Sequence, residues 1–146
     1  METKFNFKSQ ICTDKIQSKR LLSLGLKKET ADCGIYYSEL AGCDRMFAKI
    51  ETEFEADDIP AWSLWRLIEM LPPSIKDGYH YSLIYDIHRD AIGYICFANG
   101  GLQRQYNRLL WDTQSTNPFD NIIVCIEWLI KEGYFPKEYL DGTTEN

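Results

Sequence analysis

A chain of 146 residues with 45% apolar and 26% charged residues is long enough for one domain with its own core, and too apolar for a disordered segment. A net charge of −6 argues against a nucleic-acid-binding domain as a whole, and no apolar run approaches the ~18 residues of a membrane span. The opening METKFNFKSQ has no apolar signal-peptide core, so a cytoplasmic location is expected rather than export.

The charge is uneven along the chain. Residues 1–28 carry seven basic side chains against two acidic ones, whereas residues 29–60 carry two basic against nine acidic. The spacing predicts a first helix over Asp14 to Leu24, with Thr13 or Asp14 as cap. Gly25 suits the left-handed residue that ends a helix, and Leu26 then folds back on Leu21. Short strands are expected at Ile35 to Tyr37 and Met46 to Ile50. The acidic stretch 51–58 reads as an exposed loop.

A short second helix follows in IPAWSLWRLIEMLPPSI (Ile59 to Ile75). Ser63 is its cap, Leu64, Leu67, Ile68 and Leu71 form a one-sided apolar stripe, and Pro72-Pro73 stops it. Trp62 before the cap and Leu67 in the helix have the spacing of a hydrophobic staple. Arg66 occupies the position where a capping box would want Glu or Gln, so the staple comes without the box. Trp65 lies on the flank of the apolar stripe.

Strict alternation from Tyr79 to His88 predicts a strand, with a turn at His88-Arg89-Asp90. A return strand is expected over Ala91 to Ala98, a turn at Asn99-Gly100-Gly101, and a third strand over Leu102 to Trp111, where a helix is the alternative. The last helix starts at the cap Asn117 with Pro118 in its first position, and ends at Gly133 with Tyr134 packing back on Leu129. Phe119, Ile122, Ile123, Ile126, Leu129 and Ile130 make one apolar face, while Val124 and Trp128 point to the opposite side and need a cover of their own.

These elements predict a single α+β domain over residues 1–146, with loosely held termini. Its antiparallel sheet of three or more strands is covered on one face by about three helices.

Little in the residue pattern points to catalysis. Cys12, Cys33, Cys43, Cys96 and Cys125 are odd in number and none has Cys-x-x-Cys spacing, which fits reduced thiols; Cys96 and Cys125 sit in apolar runs and read as core. His80 and His88 stand about 26 Å apart on an extended strand, too far to share a metal. There is no Gly-x-Ser-x-Gly elbow and no phosphate-binding loop. The carboxylates cluster in a solvated stretch rather than a shielded pocket. No catalytic residue, cofactor or metal is therefore expected.

Binding surfaces are the remaining source of function. Lys15, Lys19, Arg20, Lys27 and Lys28 are the candidate contacts to nucleic acid, set against an ordinary solvated helix face, which the acidic whole favours. Glu51, Glu53, Glu55, Asp57 and Asp58 offer a second route to a nucleic-acid-linked role, by mimicking a row of phosphates. Trp65, Val124 and Trp128 are the candidate protein-interaction surface, because Tyr and Trp are the usual anchors of interfaces.

Three segments carry a resemblance: SKRLLSLGL…TAD (Ser18 to Asp32), IPAWSLWRLIEMLP (Ile59 to Pro72) and IIVCIEWLIKEGYF (Ile122 to Phe135). In this order they resemble a group of short proteins from Bacteroidales and related gut bacteria, often found within prophages and other mobile elements. Pro60 to Leu64 is the most specific part and Trp128 to Tyr134 the next. The resemblance implies a bacterial, mobile-element setting and brings no activity and no catalytic residue with it. The expectation is a small non-enzymatic protein acting through protein contacts, with self-association among the possibilities and a nucleic-acid-linked role as the alternative.

Overall fold

A computed structural model of the chain describes residues 9–49, 54–55, 57–86, 91–98, 106–114 and 117–142, with side chains left aside at 97–98 and 106–114. The termini expected to be loosely held, the turns expected at 88–90 and 99–101 and part of the acidic stretch fall outside these residues.

Helix α1 (Lys15–Ser23) begins with a complete capping box. The Asp14 carboxylate accepts from the Gln17 N–H at 2.7 Å, and the Gln17 side-chain oxygen accepts from the Asp14 N–H at 3.0 Å. The helix closes at Gly25, whose φ of +100° a side chain would strain. Gly25 N–H donates to Leu22 and Leu26 N–H to Leu21, and both leucines of the second pair are fully buried, as the sequence predicts.

Two antiparallel sheets follow. Strands β1 (Cys33–Ser38), β2 (Cys43–Ala48) and β3 (Ile59–Ala61) form the smaller one, in the order β2-β1-β3. After helix α2 (Leu64–Met70), strands β4 (Ser74–Asp77), β5 (Tyr79–Asp86), β6 (Ala91–Ala98) and β7 (Tyr106–Gln114) make a meander in sequence order. Where the sequence suggested one sheet, the chain builds two, and β4 is a strand the pattern did not reveal. The third meander strand runs Tyr106–Gln114, three residues beyond the expected end at Trp111, with a one-residue register shift opposite Tyr94 and Ile95; the expected start at 102–105 lies outside the described residues.

Helix α3 (Pro118–Glu132) has the expected cap, with the Asn117 side-chain oxygen accepting from Phe119 and Asp120. It closes at Gly133 as α1 does at Gly25, with Tyr134 N–H donating to Leu129 at 2.8 Å. It lies across β6 and β7 and touches α1 and α2. Phe119, Ile122, Ile123, Ile126 and Leu129 are buried and Ile130 is half-buried. They share one large core with Leu21, Trp62, Leu67, Ile92 and Tyr94. The smaller sheet has a separate core of Cys12, Cys33, Ile35 and Ala61. The C-terminal segment laces onto the end of α1: Lys27 N–H donates to Tyr139 at 2.8 Å and Asp141 N–H to Gly25 at 2.7 Å.

Gly34 and Phe47 are opposite each other in the β1–β2 register. A Cβ added at Gly34 would lie inside the Phe47 ring, so the ring covers the bare glycine backbone. Gly34→Ala is expected to displace that ring and cost about 1–2 kcal/mol, measured by urea unfolding. A neutral result would show that Phe47 does not seat there.

Candidate functional site

The β1–β2 hairpin changes character along its length. Cys33, Gly34 and Ile35 are buried, and beyond them Tyr36, Tyr37 and the whole turn emerge into solvent. Tyr37 is 64% exposed, Leu40 fully exposed and Met46 51% exposed. Consecutive residues of a strand face opposite sides, so Tyr36-Tyr37 cannot both enter one core. That adjacency was the available signal for an exposed aromatic, and the sequence reading passed over it.

Beside the hairpin runs a groove of 440 Å³ lined by Tyr36, Tyr37, Glu39, Glu55, Asp57 and Asp58. The Asp58 carboxylate accepts from the Glu55 N–H at 2.8 Å, which folds this end of the acidic stretch into a turn. Glu51 and Glu53 lie outside the described residues. A smaller cleft of 180 Å³ involves Lys28, Glu29, Lys49 and Phe54, where the Lys49 ammonium sits 4.5 Å from the Phe54 ring centre.

At the base of the hairpin three sulfur atoms meet. The Cys12 thiol donates to the Met46 thioether at 3.2 Å and packs with Cys33 in the small core. Burial is the main reason that both thiols titrate above their ordinary range, Cys33 at about 12, with the Asp32 charge adding to the shift. Cys12 is held there from the N-terminal side: it bridges to Ser63, and the next residue, Thr13, bonds the Trp62 backbone in both directions. Cys96 and Cys125 are buried as expected, and burial pushes Cys125 to about 12. All five thiols are free.

The residues singled out from the sequence are dispersed. Trp65 is 67% exposed on α2. Val124 and Trp128 are half-buried, and the chain itself supplies cover for Trp128: the rings of Tyr94 and Tyr134 lie at 6.3 and 5.8 Å from it. Lys15, Lys19 and Lys28 are exposed and Lys27 is half-buried, while Arg20 pairs with Glu127 at 2.5 Å across α1 and α3. His80 is exposed and His88 falls outside the described residues. Among the described residues no three His, Cys, Asp or Glu side chains gather into a metal-binding group, and no helix is long and apolar enough to cross a membrane.

Comparison with protein-family models, with curated proteins and with solved structures yields no match.

Proposed function

We propose that this chain is a small, non-enzymatic cytoplasmic protein of a phage or mobile element, and that it works through contacts with protein, copies of itself included. One observation carries the reading: the outer half of the β1–β2 hairpin exposes Tyr37 and Met46 on one face, Tyr36 on the other and Leu40 in the turn. Exposed Tyr and Met side chains are the usual material of an interface. Strand β2 also stands at the edge of its sheet, with β1 on one side only, so it offers backbone groups to an incoming strand. The nucleic-acid reading has less support, since Arg20 is already engaged by Glu127.

Self-association can be tested without knowing another partner. Light scattering over a wide concentration range should show a dimer that grows with concentration and weakens in Leu40→Ser and Tyr37→Ser. A strict monomer throughout removes self-association. A dimer that survives Leu40→Ser and is lost in Trp65→Ser moves the surface to α2.

A further inference from the structure

We propose that Cys12, Cys33 and Met46 form a three-sulfur site for a soft monovalent metal ion, Cu(I). The three residues come from three separate segments: the stretch before α1, strand β1 and edge strand β2. Their meeting is set by the fold. Met46 is opposite Ile35 in the β1–β2 register, and Ile35 is two residues from Cys33, so Met46 and Cys33 share one face of the sheet. The Cys12 segment closes over that face, with its thiol 3.2 Å from the Met46 sulfur and packed with Cys33 in the same small buried core.

The donor set selects the metal. Two thiols and a thioether are soft ligands, which favour Cu(I) over hard cations. Zn(II) prefers four ligands drawn from Cys, His and carboxylates, and a thioether is not among them. Asp32 does not complete a zinc set, because both of its carboxylate oxygens accept from Ser63.

The Cys12–Met46 pair needs only a small adjustment. With metal–sulfur bonds of about 2.3 Å, three sulfurs around a trigonal ion stand about 4 Å apart. The 3.2 Å separation must therefore widen by about 0.8 Å, and the unbranched Met side chain on an edge strand has the freedom to do so. Access follows the same order. Cys12 and Cys33 are 0% and 6% exposed, whereas Met46 is 51% exposed, so an arriving ion meets the thioether first. Binding displaces one proton from each thiol to solvent, and the copper stays Cu(I) throughout.

The test uses the whole chain under anaerobic reducing conditions, with the coloured Cu(I)–bicinchoninate complex as the copper donor. The wild-type protein should withdraw one ion per chain. Met46→Leu should weaken uptake at least about tenfold, since removing a ligand should cost no less than removing one of a ligand's outer-shell supports. Cys12→Ser and Cys33→Ser should abolish uptake, and Cys43→Ser, at an exposed thiol, should leave it unchanged. Circular dichroism checks that each variant is folded; Met46 is half-exposed, so Met46→Leu keeps the test valid if a buried Cys→Ser variant does not fold. The proposal is overturned if wild-type protein withdraws no copper, if Met46→Leu binds as wild type, if Cys43→Ser loses uptake, or if Zn(II) binds with the same dependence on Met46.

Discussion

Trp62→Ala should remove about 3–5 kcal/mol of folding stability, read as a lowered urea midpoint. Trp62 is fully buried in the large core, while its neighbour Ala61 belongs to the small one. Truncation therefore opens a cavity next to the junction between the two cores. The indole N–H also donates to the Thr30 hydroxyl at 2.9 Å, and that bond disappears with the ring. Trp62→Phe separates the contributions: it keeps most of the ring volume and should cost about 1 kcal/mol for the lost hydrogen bond, plus a packing term. A loss below about 1 kcal/mol in Trp62→Ala would mean that the side chain is not seated in the core.

Asp32→Ala is expected to cost about 2–3 kcal/mol, because charge-assisted hydrogen bonds are the strong ones. One Asp32 oxygen accepts from the Ser63 N–H at 2.8 Å and the other from the Ser63 hydroxyl at 2.5 Å. Ser63 in turn accepts from the Arg66 N–H at 3.2 Å and so caps α2. A carboxylate 31 residues upstream thus takes the place of the Glu that a capping box would carry in the helix's first turn. The two residues act as a unit, so Asp32→Ala and Ser63→Ala should be strongly non-additive. A double-mutant cycle measures this, and additive losses would show that the pair is not coupled.

That capping arrangement marks the border of what the sequence discloses. The ends of α1 and α3, the cap at Ser63 and the strands β5 and β6 were legible because each depends on neighbours in the chain. Asn117, Pro118, Gly25 and Gly133 announce their roles through local backbone chemistry. Arg66 was correctly read as the wrong residue for a capping box, but its substitute, Asp32, is distant in sequence and leaves no periodic trace. Strand β4 escaped for a different reason. It has four residues with only Ile75 buried, and it follows two prolines that read as a stop. In β7 the register shift opposite Tyr94 and Ile95 breaks the alternation on which strand boundaries are judged.

The candidate sites were less legible than the fold. Trp65, which the sequence places on the flank of the α2 stripe, is 67% exposed, a degree that the stripe alone leaves open. Trp128 on the back of α3 is expected to need a cover, and Tyr94 from the sheet and Tyr134 from beyond the helix reach it. The exposed hairpin and the sulfur cluster went unseen. Tyr36 and Tyr37 read only as strand formers, and the sequence separation of 34 between Cys12 and Met46 hides their approach.

The division of the interior into unequal parts has a kinetic meaning. The meander joins strands that are consecutive in the chain, whereas the small sheet depends on bringing Thr13 to Trp62 across 49 residues. Only four buried side chains reward that closure. The small sheet is therefore expected to open first, with the meander and α3 still assembled, and amide hydrogen exchange should be faster in β1 and β3 than in β6. Thiols shut away in the closed form become reachable through that excursion, without the whole chain unfolding.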